Sequence, residues 1–227
     1  MLTSDTVFPQ IVAVGERALL ITFADTLTTE AVQQVRAVDF HLQRFPLKGV
    51  VECIPAYASV LILYDPLRVG MSAVKDWAEN ACQNLESDAE RHPKRIEIVV
   101  RYGGAEGPDL PFVAEYHGVS LADVIEKHTG RVYRVGMMGF MPGFAYLLGL
   151  DPSIATPRLA TPRTHVPAGS VGIAGSQTGI YPLDAPGGWQ LIGRTDQVLF
   201  DPVNEPYFAL SPGDEVRFIP LQDNPLS

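Results

Sequence analysis

The 57 residues from Gly136 to Ile192 carry only four charged side chains: Asp151, Arg158, Arg163 and Asp184. The remainder is glycine, proline, small polar and apolar residues, densest in HVPAGSVGIAGSQTGIYPLDAPGGWQLIGRT from His165 to Thr195. Such a composition ordinarily marks a flexible linker, because it buries too little apolar surface to offset the entropy of ordering. Here the same region also holds Phe140, Met141, Phe144, Tyr146, Tyr181 and Trp189. Groups of that size need a packed sheet beneath them or a partner above them. Glycine and proline recur too often for a long helix, so short strands and turns remain. This region is the expected seat of function.

The same texture runs on to the end of the chain. VYRVGMMGF, GSVGIAG, TGIYPL, GWQLIG, QVLF and DEVRFIPL are short apolar runs separated by turn residues, the pattern of a barrel or sandwich. The N-terminal part reads differently. QIVAVGERALLITF, residues 10–23, predicts two short strands about a turn at Gly15 and Glu16. Val32, Val35, Val38, Leu42 and Phe45 form one apolar stripe at helical spacing, predicting a helix over 28–45. Thr28 or Thr29 would cap its start and Pro46 end it. VVECIPAY and SVLILYD predict strands, and a second helix is expected from Ser72 to about Leu85.

This alternation is that of a small α+β domain. ERHPK, residues 90–94, is the expected linker, which divides the chain into 1–93 and 94–227. Beyond it, RIEIVVRY predicts a strand and GGAEGPDL a turn-rich loop. Ser120 and Asp123 form a capping box that opens a short helix ending at Gly130.

Net charge is −9 at pH 7, which opposes nucleic acid and anionic membranes as partners. No apolar run is long enough to span a bilayer. The first residues lack a basic region followed by an apolar core, so a secretory leader is not expected and the reading is cytoplasmic. Cys53 and Cys82 read as small buried thiols. Neither a CxxC pair nor a Cys/His cluster is present, so no metal is expected.

Gly169, Gly172, Gly175 and Gly179 suggest a phosphate loop, but strand-like residues and Pro182 follow them where a dinucleotide fingerprint needs a helix. The chain also lacks the Gly-Lys pair of a P-loop. Ser170 sits in AGSVG rather than GxSxG, so its hydroxyl is expected to serve a turn. His165 shares an otherwise uncharged segment with Arg163, and is a candidate general acid/base or anion donor. His41, His92, His117 and His128 read as structural or solvated.

Arg163 and Arg194 lie among apolar and small residues. Each must find a carboxylate, a phosphate or carbonyl oxygens, because unpaired burial is expensive. The alternatives are a substrate carboxylate or an internal ion pair with Asp184 or Asp196. Gln177, Tyr181 and Thr195 would orient a small amide or satisfy turn backbone.

YRVGMMGFMPGFAYLLGLD and PRLATPRTHVPAGSVGIAGSQTGIYPLDAPGGWQLIGRT together resemble the signature of the 5-oxoprolinase B-subunit family, also called the KipI or allophanate hydrolase subunit 1 family. GERALLITFAD, VECIPAYASVLILYDP and RYGGAEGPDL extend the resemblance over nearly the whole chain. It implies an α+β protein: a small N-terminal α/β sandwich followed by a cyclophilin-like β-barrel of carboxyltransferase type. It further implies a hydrolase complex with C-subunit and A-subunit homologues, opening 5-oxo-L-proline to L-glutamate with ATP. On this reading Arg163 or Arg194 holds the substrate carboxylate and His165 moves protons. Gln177, Tyr181, Thr195 and Ser170 line the site. The same resemblance admits an inhibitor of a sensor histidine kinase, or a subunit that acts on urea, allophanate or another small amide.

Overall fold

In the computed structural model the described residues are 7–84 and 93–221. The chain divides into two compact units, Met1–His92 and Pro93–Ser227. Most of the expected linker, Glu90 to His92, lies outside the described residues, as does Leu85.

The first unit is a four-stranded antiparallel sheet with two helices. Its strands are β1 (Gln10–Ala13), β2 (Ala18–Thr22), β3 (Val50–Pro55) and β4 (Ser59–Tyr64), in the order β1-β2-β4-β3. Helix α1 (Thr29–Arg44) starts where the Thr28 hydroxyl accepts the Ala31 amide at 3.1 Å. Val32, Val35, Val38 and Leu42 of its stripe are buried on the sheet, whereas Phe45, expected to continue it, is the C-cap and stays exposed. Helix α2 (Met71–Gln83) adds Val74, Ala78 and Ala81 to the same core. The Trp77 indole donates to the Phe45 carbonyl at 2.7 Å, tying α2 to the end of α1. β4 alternates buried and half-buried residues, as a strand covered on one face should.

The second unit is a closed seven-stranded barrel. Its strands are β5 (Arg95–Tyr102), β6 (Val132–Met138), β7 (Ala145–Leu148), β9 (Ser170–Ala174), β10 (Gln177–Ile180), β12 (Gln190–Arg194) and β13 (Glu215–Pro220). Their order is β10-β7-β6-β13-β5-β12-β9, closing between β9 and β10. Only β13 and β5 run parallel within it. A separate ribbon pairs β8 (Arg163–Val166) with β11 (Ala185–Gly187). The fold is thus α+β with a barrel.

Two short helices pack on the barrel: α3 (Leu110–His117) and α4 (Leu121–Thr129). The Ser120–Asp123 capping box opens α4 as expected. Helix α3 has no counterpart among the elements expected from the sequence. At eight residues it is too short to show a period, and Pro111 in its first turn reads as loop although that position tolerates proline. Gly118 ends it in the left-handed conformation.

His128, at the end of α4, is wholly buried. It bonds Tyr102 on β5 at 2.7 Å and Thr178 on β10 at 2.9 Å, and packs on Phe218 of β13. Those strands are not all neighbours, so the end of α4 sits inside the barrel. Burial pushes the imidazole pKa down to about 3.

Candidate functional site

The glycines of the signature are not a phosphate loop. Gly172 and Gly179 face each other across β9 and β10. A Cβ on Gly179 would lie 3.1 Å from both the Phe144 and Trp189 rings, and one on Gly172 would lie 3.0 Å from Trp189 Cβ. The missing side chains therefore make room for aromatic rings on the barrel wall. Phe144, Tyr181 and Trp189 pack there edge to face, with centroids 5.4 to 6.5 Å apart, as aromatic quadrupoles favour. With Val166, Ala174 and Leu191 they form a core distinct from the barrel interior. The β8–β11 ribbon covers it through Val166.

Beside these rings opens a cavity of about 280 Å³, lined by Phe140, Phe144, Tyr146, Tyr181, Trp189 and Arg158, with Gly187 and Gly188 along one side. The volume falls just under the usual range for drug-sized ligands, so it suits a small metabolite. Phe140 is 59% exposed and holds a left-handed backbone, φ 71°, while stacking edge-on against Phe144 and Tyr181. A bulky residue at positive φ carries a strain of about 1 kcal/mol or more, which the surrounding packing must impose. A Cβ on Gly187 would collide with the Tyr181 hydroxyl, so only glycine leaves this side of the cavity open. Burial raises the phenols of Tyr146 and Tyr181 above their ordinary pKa, opposed at Tyr146 by the charge of Arg158 and at Tyr181 chiefly by a hydrogen bond with the Trp189 backbone. Both therefore stay protonated at neutral pH.

The residues singled out in the sequence fall into separate places. Arg163 is committed: its Nη2 meets Asp109 at 2.6 Å and its Nη1 the Trp189 carbonyl at 3.3 Å. The other Asp109 oxygen accepts the Leu191 amide at 2.6 Å. The internal ion pair exists, but with Asp109 rather than with Asp184 or Asp196. Asp184 accepts the Ala168 amide at 2.7 Å, and Asp196 pairs with Arg101 at 2.5 and 2.7 Å.

Tyr181 is buried in the cavity wall. Ser170, Arg194 and Thr195 gather instead at the turn before β9. There Arg194 Nε donates to the Ala168 carbonyl at 2.9 Å and the Thr195 amide to the Gly169 carbonyl at 2.9 Å. The Thr195 hydroxyl accepts the Gln197 amide at 3.2 Å. Gln177 pairs with Ala174 at the far end of β9, about 13 Å along the strand from Ser170. His165 is exposed on β8 and has no hydrogen-bond partner among the described residues.

Arg158 and Asp109 escaped the sequence reading. Arg158 was visible as one of the four charges in the charge-poor region. Unlike Arg163, it is exposed, so burial does not force a partner on it.

The family described as "Carboxyltransferase domain, subdomain C and D" matches residues 9–210. The 5-oxoprolinase B-subunit of Bacillus subtilis (strain 168) is 41% identical over 228 residues, covering 96% of this chain and 95% of that protein. The protein of the same name from Escherichia coli O157:H7 is 42% identical over 215 residues, with coverage of 92% and 95%. The crystal structure of TTHA0988 superposes with a TM-score of 0.82 at 37% identity over 92% of this chain. The chain spans only 40% of that longer polypeptide. Matched along nearly its whole length in sequence and in fold, the chain belongs to the 5-oxoprolinase B-subunit family.

Proposed function

We propose that this chain is a subunit of an ATP-dependent 5-oxoprolinase that hydrolyses 5-oxo-L-proline to L-glutamate, working against a C-subunit homologue in a complex with an A-subunit homologue. The observation that carries the reading is identity above 40% to two proteins named as 5-oxoprolinase B-subunits, each matched almost end to end. The barrel unit's surface supports a partner: Phe140, Val198, Val203, Tyr207 and Phe208 are all exposed, the kind of apolar surface that a second polypeptide covers. The greater length of TTHA0988, of which this fold is one part, agrees with that.

A lactam is a stable amide. ATP would supply activation by phosphorylating the lactam oxygen with release of ADP; one water then breaks the ring C–N bond to leave an acyl phosphate, and a second releases inorganic phosphate to give glutamate. The segment from Gly169 to Gly179 is a strand pair that opens no helix, so it offers no helix N-terminus to phosphate, and the nucleotide is assigned to the complex rather than to a residue here. What this chain contributes is a small aromatic-walled seat with Tyr181 in its wall. Arg163, held by Asp109, braces β8 and so fixes the strand that carries His165. His165, exposed and with no side-chain hydrogen bond among the described residues, is a group of this chain suited to move a proton. Arg194, Thr195 and Ser170 form a second polar cluster, in which Arg194 remains a candidate to hold a carboxylate. Gln177 stands apart from both.

Co-expression with the A- and C-subunit homologues tests the reading. The expected result is ATP-dependent glutamate release from 5-oxoproline that disappears when this chain is omitted. An intact three-part complex that releases no glutamate would refute it.

A further inference from the structure

The four charges of the Gly136–Ile192 region have different fates. Asp151 binds Arg131 at 2.8 Å, Arg163 binds Asp109, and Asp184 takes the Ala168 amide. Arg158 alone of the four has neither an ion pair nor a hydrogen bond among the described residues, and it lines the aromatic cavity. Tyr146 and Tyr181 line the same cavity. Exposed to solvent, this arginine lies beside flat apolar walls and a space too small for a large molecule, so its fork is available to a compact anion with a ring or planar body.

We propose that Arg158 is the anion anchor of this cavity, and that the ligand class is a small cyclic or planar monocarboxylate seated against Trp189 with its carboxylate on the guanidinium. The assignment of 5-oxoproline as that ligand rests on the 5-oxoprolinase reading; the ligand class does not. Arg163 is thereby a positioning residue. It supports Trp189 and β8, with one terminal nitrogen on Asp109 and the other on the Trp189 carbonyl. Specificity for an acid over the corresponding neutral lactam would come from Arg158. Glycine at 187 keeps the entry open beside Tyr181.

The test pairs binding with turnover. Saturation-transfer NMR on the full chain uses three probes: 5-oxoproline, proline and the uncharged lactam 2-pyrrolidone. The expected result is 5-oxoproline binding that weakens on the order of 10- to 100-fold in Arg158→Met, the worth of a charged hydrogen bond. Arg158→Lys should retain part of the affinity, and 2-pyrrolidone should bind wild type and Arg158→Met alike. In the reconstituted complex, Arg158→Met should raise KM for 5-oxoproline by a similar factor with a smaller change in kcat. Unchanged affinity and unchanged KM in Arg158→Met would overturn the proposal while leaving the 5-oxoprolinase reading intact. Arg158-dependent binding of ring carboxylates by a chain whose complex never releases glutamate would sustain the ligand class and sink the 5-oxoprolinase reading. Loss of binding in Arg194→Met but not in Arg158→Met would move the anchor and overturn the proposal.

Discussion

The N-terminal sheet unit and the barrel unit solve burial in opposite ways. In the first, helix stripes of valine, leucine and alanine close on an aliphatic sheet, and the core is Leu19, Ile21, Val35, Val38, Val60, Ile62 and their neighbours. In the second, the interior admits a histidine bonded to a tyrosine and a threonine, and a separate aromatic cluster rests on glycine-bearing strands. The first arrangement needs only apolar side chains of suitable volume, and tolerates volume-conserving exchange. The second depends on particular atoms: a missing Cβ, a carboxylate, a buried imidazole. That dependence makes the two regions respond differently to mutation.

The largest expected effect is at Asp109. Asp109→Ala leaves a half-buried guanidinium and the Leu191 amide without their partner, a loss of about 3 kcal/mol. Hydrogen exchange should show the loss in β12 and β8 while α1 and β4 keep their protection. Leu42→Ala, costing about 2–4 kcal/mol by cavity formation, should show the reverse. A uniform loss in either variant would break the comparison.

Gly179→Ala comes next. A methyl group 3.1 Å from two aromatic rings and the Ala145 carbonyl should cost about 1–3 kcal/mol in denaturant unfolding and disturb the near-ultraviolet signal of Trp189.

The barrel should also respond to pH through His128. Its folded-state pKa, about 3, lies below the ordinary 6.5, so below pH 6.5 the unfolded chain binds the extra proton. Stability is therefore full above pH 6.5 and falls by up to about 1.4 kcal/mol per pH unit from there down to pH 3. Replacing His128 by glutamine should flatten that slope over pH 4–6 in pH-dependent unfolding. The smallest effect on stability is expected at Arg158, where methionine should change unfolding by less than about 0.5 kcal/mol while altering binding.

Legibility in the sequence followed the same division. The α1 stripe, its Thr28 cap and the strands of the first unit were readable because apolar spacing there obeys one period and turn residues bound each element. The fold class of the second unit was readable from its many short runs. Its details were not: α3 is too short to show a period, and β7, β8 and β11 are three or four residues long among prolines. QVLF, expected as a strand, forms only an isolated bridge between Phe200 and Phe208. Charge scarcity pointed to the region that holds the aromatic cavity, and Tyr181 lies in its wall. The choice between Arg158 and Arg163 turns on Asp109, which is 54 residues upstream of Arg163 and which nothing local connects to it.

The most direct test of the central claim, that the aromatic cavity of the barrel unit is where substrate is held, is hydrogen exchange on the assembled complex with and without 5-oxoproline. The account predicts new protection in residues 139–146 and 186–191 of this chain, lost in the Arg158→Met complex. Protection confined to the Ala168–Ser170 turn and Thr195, or to the partner polypeptides, would contradict it.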